Sequence, residues 1–162
     1  MTGNEWDPDT YDDHAFVYEY GESLLDVLDP APDERILDIG CGTGELTAEI
    51  AEHADSVVGI DSADSMIDRA RDRYPEPTFR HGDACEFETS EPFDAVFSNA
   101  AFHWIDDQER LLDTIANALV AGGRLVAEFG GRGNVADING ALQSALRDRG
   151  DDATLPWYFP SI

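Results

Sequence analysis

The sequence predicts an α/β protein built on a doubly wound, mainly parallel sheet, and three observations predict it. Short apolar or β-branched runs recur at 35–40, 56–61, 77–83, 93–99 and 123–129, with helical stretches between most of them. Strand and helix in alternation make βαβ units, whose parallel strands are joined by right-handed crossovers. The first run ends in LDIGCGTGEL, residues 37–46, which packs three glycines into five positions where a strand hands over to a helix. Finally, 162 residues with 42% hydrophobic content suit one domain with a real core.

The elements follow in order. Phe16, Tyr20, Leu24, Leu25 and Leu28 stand at helical spacing over residues 10–28, a leading amphipathic helix ended by Pro30 and Pro32. The first strand, 35–40, passes through the glycine loop into a helix that carries Leu46, Ile50 and Ala51. SVVGID (56–61) is the second strand, followed by a helix over about 63–73 with Ser62 or Asp64 as its cap. PTFRHGD (77–83) and FDAVFSN (93–99) are the third and fourth strands. DDQERLLDTIANAL then opens with Asp106 and Glu109 at capping-box spacing and is expected to stop at Gly122–Gly123. The fifth strand is GRLVAEF (123–129), and a last helix spans about 135–149 before Gly150. No internal repeat and no linker divides the chain.

Charge narrows the class of partner. Thirty-five Asp and Glu stand against ten cations, all of them Arg, for a formal net charge of −25. Such a chain repels itself until salt screens it, over about 10 Å at 0.1 M and about 3 Å at 1 M. With no lysine at all, adaptation to a salt-rich, halophilic cytoplasm is expected. A thermal melt should accordingly move upward by several degrees between low salt and molar KCl, and a midpoint indifferent to KCl would contradict it. Polyanionic partners are not expected, because phosphate contacts need clustered Lys or Arg, so no nucleic acid is assigned. Cys41 and Cys85 are too few for a disulfide scaffold, which fits a cytoplasmic location. The opening MTGNEWDPDTYDDH has neither a basic segment nor an apolar stretch, so neither a signal peptide nor a membrane contact is expected. His14, His53 and His81 share no metal-ligand spacing with either cysteine, and no metal is assigned.

Glycine costs backbone entropy, so Gly40, Gly42 and Gly44 need a reason. An open parallel sheet binds ligands outside the carboxyl ends of its strands where strand order reverses, and the first glycine-rich turn is that point. Close approach of a ligand to the backbone is therefore the expected reason, with the following helix N-terminus adding N–H groups and partial positive charge. The dinucleotide fingerprint G-x-G-x-x-G would place its third glycine at 45, where Glu45 would sit beside a pyrophosphate. Asp61 ends the second run, 61 − 40 = 21 positions after Gly40, where an acid can accept both ribose hydroxyls of either cofactor class.

The pattern Asp38-x-Gly40-x-Gly42-x-Gly44 resembles motif I of Rossmann-like, class I S-adenosylmethionine-dependent methyltransferases. GIDSADSMIDRAR, HGDA and VFSNAAFHW follow in that family's order. FSNAAFHWI, EFGGRGNV and PWYFPSI look like its type 11, trans-aconitate methyltransferase-like branch. The resemblance implies strand order 3-2-1-4-5 and S-adenosylmethionine as cofactor, with S-adenosylhomocysteine as product. It assigns Asp38, Gly40, Cys41, Gly42 and Gly44 to the cofactor loop, Asp61 to the ribose, Met66, Asp83 and Ala84 to the adenine, and Ser62 and Asn99 to the same cofactor site. The Cys41 side chain is expected to serve packing. His103, Trp104 and Arg132 are the candidate substrate residues. His103 is the candidate base for a hydroxyl acceptor, since an imidazole near pKa 6.5 suits neutral pH, whereas a carboxylate acceptor needs none. Arg132 would grip an acidic substrate bidentately, or else balance surface acids. Tyr11, Phe16 and Tyr20 either cover the cofactor or pack on the sheet.

One domain over 1–162 is expected: a helical cap at 1–30, a core at 31–150 and the start of a C-terminal region at 151–162. Five strands can be counted where the family is expected to reach seven, so its last strand hairpin is expected to be missing, leaving a sheet edge open to self-association. A nucleotide-dependent oxidoreductase and a non-catalytic cofactor-binding or interaction module are the alternatives.

Overall fold

The computed structural model describes residues 23–150. Their strands are β1 (Arg35–Ile39), β2 (Ser56–Asp61), β3 (Thr78–His81), β4 (Phe93–Asn99) and β5 (Leu119–Glu128). Their helices are α1 (residues 23–28), α2 (Glu45–Ala51), α3 (Asp64–Arg73), α4 (Gln108–Ala118) and α5 (Ala136–Asp148), with 3₁₀ turns at Ala84–Glu86 and Phe102–Trp104. The strands form one sheet in the order β3-β2-β1-β4-β5, every pair parallel, as the family resemblance implied. The expected leading helix is described only from residue 23; its earlier turns, with Tyr11, His14, Phe16 and Tyr20, and the segment PWYFPSI lie outside the described residues.

Strands covered on both faces read as continuous apolar runs, which is why RILDI and SVVGID lack a polar alternation. Successive side chains still point to opposite faces. Leu37, Ile39, Val58, Ile60 and Val96 meet Leu111, Ile115 and Ala118 of α4 on one side. Ile36, Val57, Ala95 and Phe97 meet Ile50 of α2 and Leu24 and Leu28 of α1 on the other. α3 sets Ile67 and Ala70 against Phe79 of β3. Arg124 of β5 ties in the end of α1: its guanidinium donates to the Leu28 carbonyl (2.7 Å from Nη2) and to the Glu34 carboxylate (2.8 Å), holding Glu34 at a pKa of about 2.

Local departures from the expected boundaries have tertiary causes. The third strand stops at His81 rather than Asp83, because Asp83 turns away to cap the 3₁₀ turn by accepting the Cys85 N–H. The fifth strand starts at Leu119, four residues earlier than expected. Gly122–Gly123 lies within it rather than after a helix: Phe93 pairs with Leu119 while Ala95 pairs with Arg124, and the surplus residues bulge out with Gly122 at φ +88°. Asp107, not Asp106, caps α4 by accepting the Arg110 N–H. Neither Ser62 nor Asp64 caps α3; its N-cap is Ala63, whose N–H goes to Asp61 Oδ1.

Candidate cofactor-binding site

From β1 the chain runs outward to β2 and β3, then returns past β1 to β4 and β5, so strand order reverses between β1 and β4. A crevice opens there, over the carboxyl ends of the strands. It is a cleft of about 470 Å³, within the size range of small-molecule sites.

The loop after β1 forms its floor. Gly40, Gly42 and Gly44 all adopt positive φ, +74°, +53° and +90°. A ligand is not the whole reason for them. A Cβ on Gly40 would lie 2.3 Å from the Cβ of Ala101, and one on Gly44 would lie 2.8 Å from the Phe79 ring and 3.0 Å from the Ala70 Cβ. Gly40 thus lets the β1 and β4 loops meet, and Gly44 lets α2 start against α3 and β3. Gly40 and Gly42 line the cleft; Gly44 and Cys41 do not, Cys41 packing instead beside Phe79 and Ile67. This corrects the expectation that ligand approach alone explains three glycines.

Asp61 ties loop to strand. Its Oδ2 accepts the Gly42 N–H at 3.0 Å and its Oδ1 the Ala63 N–H at 2.9 Å. Burial pushes its pKa up, and those two N–H groups oppose the shift. A carboxylate offers about four acceptor positions, so two bonds leave capacity for hydroxyl donors in the cleft. Ser62 lines the cleft beside it, and the Ser62 carbonyl is 3.0 Å from His81 Nε2. Asp83 Oδ1 accepts the Cys85 N–H at 2.8 Å, which folds the chain so that Asp83 and Ala84 face the cleft together. Met66 and Asn99 complete the wall from α3 and β4.

Asp38 lies under the loop, 2% exposed and outside the cleft lining, and accepts the Thr47 hydroxyl at 2.6 Å. Burial, with Asp61 nearby, raises its pKa to about 7 despite that bond. The folded protein therefore holds a proton that the unfolded chain releases near pH 3.8. The resulting stability is complete below about pH 4 and is lost as pH rises through about 7. Asp38→Asn, which keeps the volume and the acceptor, should flatten this slope. It should exceed wild type by on the order of 4 kcal/mol at pH 8 in urea unfolding, with little difference at pH 4.

Of the substrate candidates, Trp104 lines the cleft, whereas His103 and Arg132 do not. His103 Nδ1 accepts the Gly130 N–H at 3.4 Å, and burial lowers its pKa. Arg132 is exposed in the loop before α5. Ala100, Ala101, Ile105, Asp106, Asp107 and Arg110 belong to the lining and were not anticipated. Ala100 carries a signal that a structure reveals, φ +56° in a non-glycine residue beside a cleft.

The donor set fits a nucleoside without phosphates. Asp61, Asp83, Glu86, Asp106 and Asp107 line the cleft against Arg110 as cation, and a diphosphate would be repelled there. Glu45, the first residue of α2, already occupies that helix N-terminus and is held by the Thr43 hydroxyl and by Arg73, both at 2.7 Å. Among the described residues, no cluster of His, Cys, Asp or Glu could hold a metal, and no helix is long and apolar enough to cross a membrane.

Fold and cleft together define a Rossmann-like protein with a cleft at the switch point of its sheet whose size and charge suit a nucleoside. Comparison with known proteins makes the class specific: the methyltransferase domain family matches residues 37–127, and the chain belongs to it, as a class I methyltransferase domain whose cofactor is S-adenosylmethionine. An uncharacterized methyltransferase of Schizosaccharomyces pombe is 35% identical over 99% of this chain and 67% of its own length. The trans-aconitate 2-methyltransferase of Deinococcus radiodurans is 35% identical over 76% of this chain and 48% of its own. A solved S-adenosylmethionine dependent methyltransferase from Mesorhizobium loti aligns with TM-score 0.62 and 30% identity, covering 74% of this chain and 56% of that one. The chain thus spans about half to two thirds of the length of these relatives.

Proposed function

We propose that this chain holds S-adenosylmethionine in the cleft above β1 and β4 and transfers its methyl group to a small carboxylic acid. The observation that carries the reading is the convergence, from three separate strand ends, of the Gly40–Gly42 backbone, the Asp61 carboxylate and the Asp83–Ala84 turn on one cavity.

Bound there, S-adenosylmethionine supplies an electrophilic methyl on a sulfonium. The protein's part is to align a nucleophile about 3–3.5 Å from that carbon and to exclude water. In this reading Asp61 accepts the ribose hydroxyls, Asp83 and the Ala84 N–H meet the adenine edge, and Asn99 and Trp104 bound the reacting end; all five line the cleft.

A carboxylate acceptor is favoured over a hydroxyl because it needs no general base, and His103, the candidate base, stands outside the cleft lining. Its Nδ1 accepts a backbone N–H, so in the neutral ring the proton sits on Nε2. A ring in that tautomer donates at Nε2 and takes up no proton there, so it is not set to activate an alcohol. The relative named for trans-aconitate, a tricarboxylic acid, points the same way.

Calorimetry in molar KCl with S-adenosylmethionine, S-adenosylhomocysteine and NAD tests the cofactor, and transfer of labelled methyl to a panel of carboxylic acids tests the reaction. Binding of the first two without NAD, followed by ester formation, is expected. Binding of NAD would favour an oxidoreductase, and cofactor binding with no transfer to any acceptor would favour a non-catalytic module.

A further inference from the structure

Arg110 is the cation among the residues lining the cleft, set against five carboxylates, and it stands beside Cys85 and Glu86. Its Nε donates to the Cys85 carbonyl at 3.1 Å, and its Nη2 lies 3.6 Å from Glu86 Oε1. Thr114, one helical turn further along α4, donates its hydroxyl to the same carbonyl at 3.1 Å. Cys85 is therefore gripped at both ends: its N–H by Asp83 and its carbonyl by two side chains of α4.

A 3₁₀ turn of three residues has weak internal bonding, and its geometry depends on what holds it from outside. Here the holder is α4. The same helix steadies the opposite wall, since Gln108 Nε2 donates to the carbonyls of Phe102 and Ile105 at 2.7 and 2.6 Å. Arg110 differs from Thr114 and Gln108 in also lining the cleft, so it holds the backbone of the turn and borders the cavity at once.

We propose that Arg110 is a positioning residue for the nucleoside base: through the Cys85 carbonyl it sets where Asp83 and the Ala84 N–H stand, and with them the preference for a 6-aminopurine. The inference rests on the cofactor reading above. A base with a 6-oxo group offers an acceptor and an N1–H where adenine offers a donor and a bare N1, so a rigid Asp83–Ala84 pair rejects it and a loosened pair tolerates it.

The test measures dissociation constants of S-adenosylhomocysteine and of its 6-oxo analogue S-inosylhomocysteine, in molar KCl, for wild type, Arg110→Met, Arg110→Lys and Thr114→Val. Wild type is expected to prefer the adenine ligand at least tenfold. Arg110→Met should weaken that ligand about tenfold and leave the inosine ligand nearly unchanged, collapsing the ratio toward one. Arg110→Lys, which keeps a donor for the Cys85 carbonyl, should retain most of the ratio, and Thr114→Val should lower it about threefold. A ratio within twofold of wild type in Arg110→Met, or an equal loss for both ligands accompanied by a lower melting point, overturns the inference while leaving the cofactor reading intact. Should Arg110→Met fail to fold, an unchanged ratio in both other variants overturns it equally. A wild type that binds neither ligand overturns both.

Discussion

The Gly40→Ala variant is expected to lose roughly 2–5 kcal/mol of stability and most of its affinity for S-adenosylhomocysteine. Two costs add. Position 40 sits at φ +74°, where an L side chain costs roughly 1–2 kcal/mol. The new methyl would also meet the Ala101 Cβ at 2.3 Å. Neither partner is the tip of a flexible side chain, so backbone must move, and overpacking of this kind typically costs about 1–3 kcal/mol. Gly40 and Ala101 both line the cleft, so the displacement that relieves the clash also deforms the site. The double variant Gly40→Ala with Ala101→Gly removes the clash and keeps the φ penalty, and it should recover about half of the loss. Urea unfolding and calorimetry in molar KCl read both effects. A single variant within about 0.5 kcal/mol of wild type would show that the two loops are not in contact.

Asp61→Ala is expected to weaken cofactor binding by at least a hundredfold. The carboxylate holds the Gly42 and Ala63 N–H groups, so its loss leaves two part-buried donors unmatched and frees the glycine loop from the start of α3. Hydrogen bonds to a charged group are worth about 1.5–3 kcal/mol each, and the proposed ones to the ribose vanish with the same side chain. Asp61→Asn is a poor repair: its oxygen satisfies one N–H while its NH₂ faces the other, so a loss of about tenfold or more is expected. Calorimetry with S-adenosylhomocysteine measures this, and melting in the absence of ligand separates the share due to the loosened loop. If Asp61→Ala bound within threefold of wild type, the ribose assignment would be wrong.

Much of the fold is legible in the chain because the information is local. RILDI, SVVGID and FDAVFSN are apolar enough to be buried strands, and the glycine loop, Asp61 and the HGDA turn each fall at the end of such a run. Strand ends on the same side of a parallel sheet gather at one crevice, so residues distant in sequence were recognisable as neighbours. Boundaries were less legible where a local signal had two readings. Gly122–Gly123 reads as a helix stop yet serves a bulge, and Asp106 has capping-box spacing while its neighbour Asp107 makes the bond.

By itself, the sequence determined the element order, the parallel sheet, the acidic character and the place of the glycine loop, since periodicity and turn chemistry act over a few residues. Tertiary structure alone decided why Gly40 and Gly44 tolerate no side chain, that Asp38 is buried beneath the loop while Asp61 faces the cleft, which nitrogen of His103 is engaged, and that Arg110 braces the far wall. Each of these depends on an atom brought from another element, Ala101, Phe79, Thr47, Gly130 or Cys85, and no spacing along one segment encodes a distance set by the packing of two.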